Sequence, residues 1–239
     1  MLSIRHDEIP GGEVKVWYLE AYCRPGSTNR VWRETTIPHT TEKLEESPDG
    51  RLLRLHCRVE GGLDVLHKIR AVSDGVEFEV EARNRGPARV DAVWVQPCIR
   101  LGSFTGATQE SYVERSFIFV GGRQTFLSQA RRTEEAIYHG GQVYVPAGID
   151  RADVNPRPLS PDVPSNGLIG CISGDGRLLL ATAWEPYQEL FQGVATCLHS
   201  DFRLGGVDPG QVKRAKGKIY ILRNATGDLL ARYASDFAR

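Results

Sequence analysis

The chain has 239 residues, 41% of them hydrophobic and 25% charged, and its 30 basic residues balance 30 acidic ones. A chain of this size and apolar content can bury a large core unaided, which excludes wholesale disorder and collagen-like or coiled-coil architectures. Zero net charge provides no general field for nucleic acid, and no apolar run approaches the roughly 20 residues of a spanning helix, so neither nucleic acid nor membrane is an expected partner.

In chain order, period-two alternation dominates. Glu13 to Tyr22 mixes β-branched and aromatic residues with charges and ends at the turn Arg24-Pro25-Gly26. From Leu52 to Val59, Leu53, Leu55, Cys57 and Val59 share one face and Arg54, His56 and Arg58 the other. The pattern resumes from Leu63 to Val72, turns at Asp74-Gly75, and runs cleanly from Val76 to Ala82. It continues from Arg89 to Val95, Ser116 to Val120, Gln124 to Leu127, Gly167 to Ile172, Arg177 to Trp184 and Gly217 to Leu222. Short strands joined by tight Gly-rich turns predict an all-β fold of two packed antiparallel sheets, a large β-sandwich. One segment reads as helix: Leu229, Leu230, Tyr233 and Phe237 form a single stripe, which predicts a short C-terminal helix at about 227–237 with Thr226 as N-cap. No repeat or long linker divides the chain, so residues 1–239 are expected to form a single domain.

Residues 146–167 break the meander with five prolines. A stretch this long inside a domain is expected to be an ordered lid or a plain crossover between sheets.

The Asp74-Gly75 turn between alternating strands, and Leu204 to Gln211 with its Pro-Gly turn ahead of a final strand, resemble the galactose-mutarotase-like β-sandwich superfamily. That resemblance covers about residues 50–222 and implies a carbohydrate ligand. The catalytic His and Glu motifs of the epimerases have no counterpart here, so no catalytic residue is carried over.

From the residues themselves, the densest chemistry lies in the final third. Trp184 and Tyr187 offer flat faces for stacking on sugar rings, and Glu185, Gln188, Glu189 and Gln192 offer groups that read hydroxyls. If 197–201 is extended, Cys197, His199 and Asp201 point to one side, and Asp201 can orient the imidazole for acid–base work. A second candidate is Gln96 with Arg100, whose guanidinium suits the carboxylate of an acidic sugar. Asn155 and Arg157 of the Pro-rich segment would cover the ligand. The competing reading places the aromatics in the core and leaves His199–Asp201 as a simple pair.

Elsewhere, His67 on an apolar face reads as a hydrogen-bonded core residue. The facing charges from Arg54 to Glu81 read as a solvated sheet, as does the basic run Lys213 to Lys218. Tyr138 and His139 offer a phenol or imidazole base, or else a loop. Five widely spaced cysteines without a CxxC, and an N-terminus lacking a signal-peptide core, predict buried reduced thiols in a cytoplasmic protein; a mature secreted form would share these features. No cofactor motif is present and no metal site is expected, although His199 and Asp201 joined by His67 or His39 would be the residues for a divalent ion.

Together these features predict a carbohydrate-active protein that binds a saccharide or oligosaccharide on a sheet face or rim. His199 would be the base or acid, Asp201 its orienting partner and Glu185 the opposing group, for chemistry of epimerase or lyase type. Hydrolysis by Glu185 and Glu189 is a further enzymatic option. The alternative is a non-catalytic binding or assembly module, in which the same aromatics form a static platform or a homo-oligomer interface.

Overall fold

Alternation of apolar and charged residues lets each strand bury one face and solvate the other, and the chain uses this rule almost throughout. The computed structural model of the protein describes residues 1–135 and 140–237, so the pair Tyr138 and His139 lies outside the described residues. The first half contains β1 (Leu2–Arg5), β2 (Glu13–Cys23), β3 (Thr36–Ile37), β4 (His39–Glu46), β5 (Leu52–Val59), β6 (Leu63–Val72), β7 (Gly75–Asn84) and β8 (Trp94–Arg100). Then follow β9 (Ser116–Val120), β10 (Arg123–Phe126), β11 (Gln142–Tyr144), β12 (Pro164–Ile172), β13 (Leu178–Glu185), β14 (Tyr187–Gln192), β15 (Cys197–Arg203) and β16 (Val212–Arg223). Helices are short: α1 (Trp32–Thr35), α2 (Gly102–Thr105) and the C-terminal α3 (Thr226–Asp236).

The strands form two antiparallel sheets. A seven-stranded sheet runs β1-β2-β8-β15-β14-β11 with β3 on β2, and a nine-stranded sheet runs β10-β9-β12-β13-β16-β7-β6-β5-β4. This is the β-sandwich expected from the alternation. The inner faces meet in one apolar cluster that includes Val16, Tyr22, Val65, Phe78, Leu180 and Phe202. Trp184 lies within it, its ring stacked on Phe202 with centroids 4.5 Å apart and tilted against Phe78 at 5.4 Å. Glycine at 217 makes the seat, because a Cβ there would lie 2.4 Å from the indole. Such aromatic contacts add to the area each ring buries.

His67 enters this core as expected: Tyr18 Oη lies 3.0 Å from Nδ1 and Tyr22 Oη 3.2 Å from Nε2. A neutral imidazole donates to one hydroxyl and accepts from the other, which satisfies both ring nitrogens. The outer charges of β6, β7 and β16 form exposed ion pairs such as Arg70–Glu77 and Arg214–Glu81, each at 2.7 Å.

Helix α3 covers the other face of the nine-stranded sheet, with Leu229 packed among Phe117, Leu179 and Tyr220. Its cap differs from expectation: Ala225 is the N-cap, and Thr226 is the first helical residue, its hydroxyl donating to Gln124 Oε1 at 2.9 Å. The basic run is not wholly solvated either. Lys218 is buried, with Nζ 3.0 Å from Asp74 Oδ1 and 2.9 Å from Asp236 Oδ2, which ties the helix end to the β6–β7 turn. The Pro-rich segment is ordered, and its last residues belong to β12. Strand β4, rich in Glu, Lys and Thr, is an exposed edge whose polar composition gave no apolar alternation to read. No helix among the described residues is long and apolar enough to cross a membrane.

Candidate functional site

Across the seven-stranded sheet, paired residues share a face, so the register assigns each side chain a side. Leu198 and Phe202 point into the core. Cys197, His199 and Asp201 therefore point outward, as their spacing requires. On β8 the outward residues are Trp94, Gln96, Cys98 and Arg100, because Val95 and Ile99 point inward. On β2, Lys15 pairs with Arg100 and Trp17 with Cys98, which places both outward as well.

The ladder loosens at the centre of this face. Pairing of β8 with β15 is interrupted between Leu198↔Ile99 and Phe202↔Val95, a gap that contains Pro97, which has no N–H to give. On the other side of β8, β2 bulges between Trp17 and Ala21, with Leu19 in the left-handed region at φ 61°. The bulge brings Glu20 to the site, where its carboxyl interacts with Cys98, Cys197, His199 and Arg100; burial holds it above the ordinary carboxylate range.

A polar chain crosses the strands here. Glu189 on β14 pairs with Asp201, and Phe191 with His199. His199 Nδ1 stands 3.5 Å from Asp201 Oδ1, and Nε2 stands 3.5 Å from Cys197 Sγ. The Cys98 and Cys197 sulfurs and a His199 ring nitrogen all lie within 4.8 Å of one another. The Phe191 ring meets the imidazole edge-on at 5.0 Å. Gly193 borders the cluster, and a Cβ there would fall 2.2 Å from Cys197 Sγ.

Burial and mutual contact set the charges. Burial, reinforced by Asp201, pushes the Glu189 carboxyl well up, while the Asn155 amide opposes this. Burial also raises Asp201, against the pull of His199. Burial disfavours the imidazolium of His199, but the Cys197 sulfur and Asp201 outweigh it and raise the pKa. A hydrogen bond from Cys98, assisted by His199, lowers that of Cys197. Glu189 Oε1, His199 Nδ1 and both carboxyl oxygens of Asp201 are buried without a hydrogen-bond partner among the described residues.

Two loops roof this face. The Asn155 amide donates to Glu189 Oε2 at 2.9 Å, and Gln188 Nε2 donates to the Asp153 carbonyl at 2.5 Å. The roof is closed by Gly26 N–H on Asp153 Oδ1 at 3.0 Å and by the Thr28 hydroxyl on the Ala152 carbonyl at 2.9 Å. The Pro-rich segment thus covers this face of the sheet. Asn155 acts through its backbone, and Arg157, half-buried in the roof, donates its own amide to the Asn155 carbonyl at 2.7 Å.

Other expected site residues go elsewhere. Trp184 is packed in the core and cannot stack on a ligand. Tyr187 packs against that core from the start of β14 and pairs with Phe202 on the inner side. Glu185 sits opposite Lys216 in the nine-stranded sheet and does not face His199; the carboxyl that does stand by Asp201 is Glu189. Glu185 and Glu189, the pair expected for two-carboxylate hydrolysis, stand on different sheets. Gln188 is committed to Asp153 and Arg203, and Gln192, pointing inward beside Leu198, accepts from Arg132 at 3.2 Å. Gln96 is buried on the outer face opposite Ala21, and Arg100 is half-exposed there. His67 and His39 are held around Tyr22 in the core region and do not join His199.

Sequence reading missed Trp17, Glu20 and Cys98. Trp17 was within reach, since Val14, Val16 and Tyr18 alternate into the core and leave Trp17 outward; it is 45% exposed. Cys98 carried no local signal, because only the sheet order sets β8 beside β15. The large cavity of about 1680 Å³ lies at the mouth of the sandwich between β1 and the β5–β7 hairpins; Trp17 and His39 line it, whereas His199, Asp201, Glu185 and the other expected site residues do not.

No family model and no curated protein matches the chain. Among solved structures, it is similar to a galactose mutarotase-like protein from Lactobacillus casei, at 10% identity and TM-score 0.47, over 92% of this chain and 88% of that one. A galactose mutarotase-like protein from Clostridium acetobutylicum matches at 8% identity and TM-score 0.44, covering 89% of this chain and 80% of that one. The Slr1438 protein from Synechocystis matches at 13% identity and TM-score 0.42, over 92% and 80%. The likeness is one of fold.

Proposed function

We propose that the protein binds a saccharide on the outer face of its seven-stranded sheet and carries out proton-transfer chemistry of epimerase or lyase type there. Asp201 orients His199, and Glu189 replaces Glu185 as the opposing carboxyl. The carrying observation is the set of buried, unpartnered polar atoms on Glu189, His199 and Asp201. Buried polar groups are almost always satisfied, so several unsatisfied ones on adjacent strands call for a further partner, and a bound ligand supplies one. Trp17 supplies an exposed ring on the same side of the sheet as the half-buried Glu20 and Arg100. An indole together with a carboxyl and a guanidinium suits a sugar ring, and Arg100 favours one that bears a carboxylate.

Thermal-shift titration with neutral aldoses and uronic acids tests the binding. A rise in melting temperature is expected, strongest for the acidic sugars and lost in Trp17→Ala. Incubating a bound sugar in deuterium oxide and following C–H exchange by NMR tests the chemistry, with exchange lost and binding kept in His199→Ala. No shift with any sugar would overturn the proposal. A second reading, a non-catalytic saccharide-binding module, is favoured by the near-complete burial of His199 and Asp201; it predicts the thermal shift without C–H exchange.

A further inference from the structure

We infer that Cys98, Cys197 and His199 form a binding site for a thiophilic d10 cation, Zn²⁺ in the first instance, with Asp201 as the carboxylate that orients the histidine ligand. Two sulfurs and a ring nitrogen gathered within 4.8 Å match the donor set of a zinc site, and this set disfavours Mg²⁺ and Ca²⁺, which take oxygen. The Cys197–His199 distance agrees with one shared ion. Tetrahedral bonds of about 2.3 Å to sulfur and about 2.0 Å to nitrogen place a sulfur and a nitrogen about 3.5 Å apart, and Cys197 Sγ lies 3.5 Å from His199 Nε2.

A second, independent observation lies behind the ring. Nδ1 is buried, has no hydrogen-bond partner among the described residues and faces Asp201 Oδ1 at 3.5 Å. A histidine that binds metal through one nitrogen commonly donates its other N–H to a carboxylate, which fixes the tautomer and raises ligand basicity. Charge balance points the same way, because two thiolates neutralise one Zn²⁺ and the filled cluster is a net-neutral group in a dry setting. Glu20, whose carboxyl interacts with Cys98 and Cys197, is a further oxygen donor beside the cluster. The backbone is built for close approach: Gly193 leaves the room that Cys197 Sγ occupies, and its carbonyl is held by Tyr112 Oη and by Gln109 Nε2.

The site shares His199 with the proposed saccharide turnover, and its effect on turnover rests on that reading. A cation on Nε2 takes the lone pair that proton transfer would use, so metal-loaded protein keeps sugar binding at Trp17 and loses C–H exchange.

The test is titration of the reduced, metal-free full-length protein with Co²⁺ under anaerobic conditions. One equivalent should produce thiolate-to-cobalt charge-transfer absorption and tetrahedral d–d bands, and Zn²⁺ should displace both. Cys98→Ser and Cys197→Ser should each abolish the charge-transfer pattern of two thiolates. Cys171→Ser, which alters a buried cysteine outside the cluster, should leave it intact. Asp201→Asn, which keeps the shape of the site, should weaken binding by about 10–100-fold. Folding of each variant is checked by circular dichroism. The absence of charge-transfer bands in folded wild-type protein, or their persistence at full two-thiolate intensity in folded Cys98→Ser and Cys197→Ser, would overturn the metal site. Absence of C–H exchange in metal-free protein would count against the proposed chemistry alone.

Discussion

Trp184 and His199 lie on opposite faces of the seven-stranded sheet. The indole stacks on Phe202, only three residues along β15 from His199, yet Phe202 points into the sandwich and His199 out of it. The strand's period of two separates them. Their roles separate accordingly: Trp184→Ala should destabilise the protein by about 3–5 kcal/mol through the cavity it leaves. Trp17→Ala, at an exposed ring, should change stability little and weaken sugar binding. Urea unfolding alongside sugar titration distinguishes the two, and a ligand effect of Trp184→Ala in still-folded protein would contradict this division.

Close packing around the same indole gives a second expectation. Added carbon at Gly217 would meet the Trp184 ring at 2.4–2.5 Å. Flanking strands β7 and β13 hold Gly217 in register, so the ring must shift from its rotamer. Gly217→Ala should cost about 1–3 kcal/mol, visible as a lower urea midpoint with unchanged slope.

Acid stability should carry the signature of His67. Its burial between two tyrosines lowers the imidazole pKa to about 3 in the folded protein. In the unfolded chain the group protonates near pH 6.5. The unfolded state therefore binds the extra proton between those values, so this contribution is fully present above pH 6.5 and is lost as pH falls toward 3. The loss is at most roughly 5 kcal/mol. Chemical denaturation between pH 7 and 4 should show a shallower fall in His67→Gln than in the wild-type protein; equal slopes would exclude His67 as the source.

Lys218 should anchor the C-terminal helix. Its side chain is only 6% exposed and lies within ion-pair distance of Asp74, Glu77 and Asp236. Removing the cation leaves Asp74 with Arg232 alone among its charged partners and leaves the end of α3 held at Asp236 only by Tyr220 Oη and Lys216 Nζ. Lys218→Met should destabilise by about 3 kcal/mol and speed amide exchange across Thr226–Asp236 before it does so in the strands. Uniform exchange throughout the sandwich would show that the helix is not held this way.

What was legible in the sequence follows from range. The β5–β7 hairpins write their inner faces as Leu55, Cys57, Val65, Val80 and Ala82, so local alternation reveals both strand and side. The same rule set Cys197, His199 and Asp201 together. Strand β4 was hidden because an edge solvated along most of its length needs no apolar face. The assignment of Trp184 to the site failed for a different reason. Its neighbours in sequence belong to β14, but a turn at Pro186 moves the chain from one sheet to the other, so closeness along the chain is not closeness in space. Cys98 required knowledge that β8 lies beside β15, a non-local pairing that no window of residues contains.

Gly193 gives the most direct test of the outer cluster. Its Cα sits against Cys197 Sγ and close to His199 Nε2, so a Cβ would lie 2.2 Å from the sulfur, 3.0 Å from the Cys197 carbonyl oxygen and 3.5 Å from the nitrogen. The loop has little freedom to retreat, because the Gly193 amide donates to that carbonyl at 2.9 Å and the Gly193 carbonyl is gripped by Tyr112 and Gln109. The added methyl must therefore displace the thiol and spread the three donors. Gly193→Ala should lower stability by about 1–3 kcal/mol and, in the protein that remains folded, remove the Co²⁺ charge-transfer bands. Gly102→Ala, at a position with no atom within 4 Å of the new carbon, is the matched control and should leave the bands unchanged. If Gly193→Ala binds Co²⁺ as the wild type does, the sulfurs and the imidazole are not held together by this turn.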